Sequence, residues 1–318
     1  MNGPQVGTTL RCAARAPRAW TSRTPGRRQQ VASQKGRIVE QIGVVGAGLM
    51  GAEIALVFAL AGHEVLLNDR DANALDRALQ RLTDLLAKGV ARGLFEGELA
   101  AFALKRIQLT TNFDGFASVD MAVEAVFEAE NVKAAVLTQL DGVCRSDAII
   151  ASNTSTIPIS TLASYMSKER RPHFLGTHYF SPVSRMKLVE VIPGFETSEE
   201  TVTTAMDLVT RAGKTAIRVK DVAGFAVNRM LHMFIIEAVR LVEEGVATPA
   251  DIDTACRLGL GHPIGPFALM DAVTSSLCVE AQTIMQDAYG ERFRPPPLLK
   301  QRVKAGLVGG KNRPGWLA

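Results

Sequence analysis

The sequence predicts an α/β protein in which a doubly wound parallel sheet is followed by a smaller all-helical domain. Three observations predict it. A short β-rich run leads directly into a glycine-rich turn and an apolar helical stretch at residues 38–61. Further apolar runs then alternate with helical patterns to about residue 192, the arrangement that builds a parallel sheet. Beyond residues 215–220 the period changes and the chain reads as helices. With 318 residues and 47% apolar content, the chain is too long for one compact core.

The turn reads Gly46-Ala47-Gly48-Leu49-Met50-Gly51 and precedes the helical stretch at 52–61. Its glycines have separate tasks: Gly46 lets the chain turn, Gly48 lets backbone approach a pyrophosphate, and Gly51 lets helix and strand pack closely. The helix start then presents unpaired amides to the phosphates. A second strand, EVLLN at 64–68, ends at Asp69, 18 residues after Gly51. That is near the spacing at which a carboxylate bonds the adenosine ribose, and the constellation implies a Rossmann-type dinucleotide site. Asp69 favours NAD over NADP, because a carboxylate repels a 2′-phosphate, although Arg70 stands beside it. A solvated turn acid is the plainer reading of Asp69.

Further strands are expected at 119–127, 148–152 and 174–180, with helical patterns at 131–140 and 159–166 between them. Residues 75–105 read as a charged helical excursion that breaks near Gly93.

His178 lies near the end of the strand at 174–180, at the edge where open parallel sheets gather ligands. Twelve residues on, Glu190 sits inside the apolar strand KLVEVI. A carboxylate between Val189 and Val191 needs a partner, and His178 is the economical one. Such a pair suits alcohol oxidation, in which the acid fixes one ring nitrogen and leaves the other to accept a proton. An ordinary core or surface histidine remains open on spacing alone. Asn153-Thr154-Ser155 and Asn228 are polar residues beside these elements, and each also fits a cap or turn.

The helical part contains a periodic run at 228–243 that stops at Gly245, then a helix start at Thr248-Pro249-Ala250-Asp251 with cap, proline and acid in order. A glycine-proline bend follows at 261–266, and another helix at 276–289. The boundary falls near residues 221–224, giving segments 1–37, 38–221 and 222–318.

Composition excludes several classes. The net charge of +4 conceals eight basic residues and no acid in residues 1–37, so residues 38–318 carry −4. A mildly acidic body gives no reason to expect nucleic-acid binding. The first 37 residues are expected to be disordered; they fit a mitochondrial transit peptide or an unstructured tail, which leaves a mitochondrial or a cytoplasmic location. No apolar run approaches a membrane span. Cys12, Cys144, Cys256 and Cys278 lie far apart, without metal or redox spacing, and read as reduced thiols of an intracellular protein.

Together the segments at about 38–316 resemble the L-3-hydroxyacyl-CoA dehydrogenase family. The motifs are VVGAGLMGAEIA from Val44, VEAVFE from Val123, SNTSTIPI from Ser152, GTHYFSPVSRMKLVEVIPG from Gly176, KDVAGFAVNRM from Lys220 and LGLGHPIGPFALMD from Leu258. HYFSPV, with AYGERF near Ala288, looks closer to the dehydrogenase portion of multifunctional β-oxidation proteins, here as a free-standing chain. The resemblance implies an acyl-CoA thioester substrate, NAD, and no metal. It implies that His178 is the base and Glu190 its partner, and that Ser155 and Asn228 bond the reacting oxygens. It implies as well that Asp69 holds the ribose, that Glu128 and Lys133 lie by the nicotinamide end, and that a homodimer forms through the helical domain. Ser181 stands where most stand-alone members have Asn, and Trp316 where a Phe-Tyr tail is usual. The rival readings are a dehydrogenase of small hydroxy acids or sugar acids and an inactive cofactor-binding subunit; HYFSPV and GHPIGPF oppose the first, and the intact polar set opposes the second.

Overall fold

The computed structural model describes residues 41–317, so the basic segment 1–37 lies outside the described residues. Eight strands form one sheet: β1 Gln41–Val45, β2 Glu64–Asn68, β3 Ile107–Thr110, β4 Met121–Glu124, β5 Ile149–Ser152, β6 Phe174–Tyr179, β7 Leu188–Pro193 and β8 Thr215–Arg218. Their spatial order is β3-β2-β1-β4-β5-β6-β7-β8, which reverses direction of winding on either side of β1. The expected α/β class and Rossmann arrangement are present.

One step departs from the expected parallel pairing. β6 and β7 run antiparallel, while every other neighbouring pair is parallel. The cause is the short link at 180–187, because a parallel return needs a crossover of a dozen or more residues.

Helices cover both faces. α1 Leu49–Leu60, α2 Ala72–Ala91 and α3 Gly97–Lys105 pack on one face, α4 Glu130–Val143 and α5 Ile159–Ala163 on the other, and α6 Glu199–Arg211 returns to the first. Residues 51–59 of α1 are all buried, which is why this helix, Glu53 apart, is apolar on every side and not striped. The break near Gly93 is real: α2 ends at Ala91, and Gly93 takes a left-handed φ of 69° before α3 begins. β3 and α6 were not anticipated. β3 has four residues at the sheet edge, too few to show a period.

The helical part comprises α7 Val227–Glu243, α8 Pro249–Gly259, α9 Pro266–Val273, α10 Ser275–Tyr289 and α11 Pro297–Lys304. Thr248 caps α8 by accepting the Asp251 amide, with Pro249 in the first position. Trp316 closes this core: its indole N–H donates to Ser275 Oγ at 3.0 Å, its ring lies 4.9 Å from that of Phe267, and its amide donates to Asp271. Among the described residues, no helix is long and apolar enough to cross a membrane.

Candidate active site

β1 delivers the chain to the glycine turn at the C-terminal edge of the sheet, and two positions of the turn admit no side chain. Gly46 has φ 103°, and a Cβ there would lie 2.6 Å from the Ala125 carbonyl oxygen. A Cβ on Gly51 would lie 1.9 Å from the Gly46 carbonyl oxygen. Gly48, by contrast, faces open space, with nothing within 4 Å of its would-be Cβ. Gly48 also caps α1 without any side-chain hydrogen bond, and Leu49 is exposed and Met50 half-buried in the first turn. An open cradle over free helix amides is the shape a pyrophosphate requires, so these residues fit NAD.

Asp69 stands at the rim of that cradle. One carboxylate oxygen accepts the Ala47 amide at 2.8 Å and the other the Asp71 amide at 3.0 Å. Each oxygen keeps a second lone pair that can accept a further hydrogen bond. Arg81 of α2, which the sequence did not single out, donates to the Ala47 carbonyl at 2.9 Å and braces the turn from behind.

His178 and Glu190 are directly opposed across the antiparallel pair of β6 and β7. His178 Nδ1 lies 2.8 Å from Glu190 Oε2, with both residues almost fully buried. A carboxylate only accepts, so Nδ1 carries the hydrogen and Nε2 is left as the acceptor. Ser155, on the loop after β5, places its hydroxyl 3.0 Å from His178 Nε2. Glu190 Oε1 accepts from the amides of Ala226 and Val227 at 3.0 Å each, at the start of α7. The carboxylate therefore meets the positive end of that helix. The rings of Phe180 and Phe225 lie 4.6 and 5.6 Å from the imidazole and keep it among apolar neighbours.

Asn228 is half-buried in the first turn of α7, next to Val227, and its side chain makes no hydrogen bond among the described residues. Its amide is thus uncommitted.

Glu128 and Lys133 lie on the loop after β4 and in the first turn of α4, and both are engaged internally. Glu128 Oε1 accepts from Thr154 Oγ1, the Ser155 amide, and the amide and hydroxyl of Thr156, and so shapes the loop that carries Ser155. Burial pushes its carboxyl up, but the Lys133 ammonium and the bonds from Thr154, Ser155 and Thr156 outweigh this and hold it below the usual glutamate range. Lys133 is 1% exposed; its Nζ donates to Glu124 Oε1 at 2.8 Å, with Glu128 Oε2 at 3.2 Å. Glu124, fully buried, also accepts from Ser152 Oγ and the Val126 amide. Glu124 is the member sequence reasoning missed, although an acid inside the strand MAVE offers the same signal as Glu190 in KLVEVI.

Two family models match the chain: the NAD binding domain of 3-hydroxyacyl-CoA dehydrogenase over residues 41–222, and its C-terminal domain over 224–318. A probable 3-hydroxybutyryl-CoA dehydrogenase of Deinococcus radiodurans is 38% identical over 87% of this chain and 99% of its own. The mitochondrial hydroxyacyl-coenzyme A dehydrogenase of Sus scrofa is 37% identical over 90% of this chain and 93% of its own. The crystal structure of (S)-3-hydroxybutyryl-CoA dehydrogenase from Ralstonia eutropha superposes with a TM-score of 0.83 at 35% identity, covering 87% of this chain and 98% of that one. With both halves matched and the glycine cradle in place, the chain belongs to the 3-hydroxyacyl-CoA dehydrogenase family, NAD-dependent oxidoreductases.

Proposed function

We propose that this protein oxidises the 3-hydroxyl of an L-3-hydroxyacyl-CoA to the ketone, and reduces it in reverse, with His178 as proton acceptor and Glu190 as its partner. The observation that carries the reading is the chain of contacts from Ser155 through His178 to Glu190 and on to the α7 amides. His178 Nε2 takes the hydroxyl proton. Glu190 stabilises the imidazolium that results, and the two amides on Oε1 keep its charge from moving away. Ser155 and Asn228 hold the reacting oxygen, where a well-placed donor contributes a few kcal/mol to the transition state. NAD, when bound, accepts the hydride. Gly46, Gly48, Leu49, Met50 and Gly51 would hold its pyrophosphate, Asp69 its ribose, and Glu128, with Lys133 behind it, would face the nicotinamide end. The β4 loop supports that last placement, because Glu128 ties it to the loop of Ser155.

A homodimer through the helical part accompanies this reading. The large exposure of Val246, Leu258, Leu260 and Leu277 supports it, and light scattering on the purified protein gives the answer.

The test is NADH formation with 3-hydroxybutyryl-CoA and, separately, with free 3-hydroxybutyrate. The thioester is the expected substrate, and preference for the free acid overturns the reading. His178→Ala lowers turnover by roughly 10²- to 10⁴-fold and leaves NAD binding intact; undiminished turnover would remove the proposed base.

A further inference from the structure

Glu53 is an acid within a helix whose surroundings are otherwise apolar: residues 51–59 of α1 are all buried, and Glu53 itself is 5% exposed. Burying a carboxylate costs several kcal/mol unless it is bonded, so a glutamate two residues past Gly51 calls for an explanation. Its Oε2 accepts the amide of Ser184 at 2.7 Å, across 131 residues of sequence. Ser184 lies on the link between β6 and β7, the link whose strands carry His178 and Glu190.

The same link is held by a second buried charge. Lys214, 8% exposed, donates from Nζ to the carbonyls of Val183 and, at 2.9 Å, of Met186. An anion therefore holds the link by its N–H and a cation holds it by its carbonyls, so each charge meets the matching end of a peptide dipole. Burial and nearby Lys187 push the Lys214 ammonium down, and Glu53 opposes them. Among the described residues, neither side chain is hydrogen-bonded to the glycine turn or to His178.

We propose that Glu53 is a positioning residue that ties the cofactor-binding helix to the β6–β7 hairpin and so sets where His178 and Phe180 stand. The inference rests on the reading of His178 as proton acceptor. α1 thus serves at two places: its first amides face the pyrophosphate cradle, and one turn on its acid fixes the link behind the imidazole. A misplacement of about 1 Å in a reacting group can cost a hundred-fold in rate, so this tie acts on kcat and not on affinity.

The experiment compares Glu53→Leu, Glu53→Asp and Glu53→Gln by steady-state kinetics with 3-hydroxybutyryl-CoA, NADH affinity by fluorescence, and melting temperature. Leu removes the acceptor and Asp, one methylene shorter, withdraws it while keeping the charge; both lower kcat roughly ten- to a hundred-fold with little change in NADH affinity. Gln still offers an oxygen to Ser184 and recovers most of that loss. The proposal is overturned if the Asp variant, folded, turns over like the parent, if the loss lies in NADH affinity or KM alone, or if Gln is as impaired as Leu. An inactive Glu53 variant beside a fully active His178→Ala would instead indict the assignment of the base.

Discussion

Glu190 Oε1 accepts the amides of Ala226, which caps α7, and Val227, its first residue, while Oε2 of the same carboxylate holds His178 Nδ1. One buried acid thus joins the strand of His178 to the first helix of the C-terminal part.

Glu190→Gln separates these two tasks. The α7 amides demand an oxygen, so the glutamine must turn its NH₂ toward His178 Nδ1. That makes Nδ1 an acceptor and puts the ring hydrogen on Nε2, where it blocks proton uptake. The expected result is a fall in kcat of roughly 10²-fold or more with near-parental melting temperature. Steady-state rates beside a thermal melt check it, and retained turnover contradicts the tautomer argument.

Asp69→Ala takes away the carboxylate bonded to the Ala47 and Asp71 amides at the cradle rim. NAD binding is expected to weaken by roughly ten-fold, while KM for the acyl-CoA changes little, in line with one lost charged hydrogen bond of about 1.5 kcal/mol or more. Titration of NADH fluorescence alongside substrate kinetics decides it; equal effects on both ligands would count against the ribose role.

Lys133→Met leaves Glu124 buried and without its cation, and cuts Glu128 loose from one partner. Removing one member of a buried pair is expected to cost about 3–5 kcal/mol. Urea unfolding measures this directly, and a midpoint unmoved from the parent refutes it.

His232 gives an acid-sensitive contribution. Burial within α7 pushes its imidazole from 6.5 down to about 4, and its Nδ1 has no hydrogen-bond partner among the described residues. The unfolded chain takes up that proton below pH 6.5 and the folded chain only below about 4. Stability is therefore lost as pH falls through this window, by about 3 kcal/mol in total. His232→Leu should flatten this slope, seen as unfolding free energies of both proteins across pH; curves that stay parallel would show that His232 is not the source.

Much of this was legible in the residues, and the reasons are physical. The glycine turn is readable because Gly46 and Gly51 tolerate no other side chain, and β2 because EVLLN is bounded by a turn and an acid. Glu190 stood out as an acid between valines. The same reasoning, applied evenly, would have raised Glu124 in β4 and Glu53 in α1, which are also acids in apolar runs. The contact between Ser155 and His178 was not legible, because it depends on β5 and β6 lying side by side, which no local pattern specifies. Nor was the inward commitment of Lys133, since a lysine in an amphipathic helix looks like a solvated one. The antiparallel step could have been inferred from the eight-residue link, had its length been weighed against the length of a crossover.

The opposed placement of His178 and Glu190 makes the proposed proton transfer a property of a two-stranded ribbon. Side chains alternate between faces along a strand, so inserting one residue inside either strand would send imidazole and carboxylate to opposite sides of the sheet. Substituting neighbours is mild by comparison. Anyone transplanting this activity into another scaffold must therefore graft the paired ribbon as a unit, because copying the two side chains alone carries none of the alignment that makes them partners.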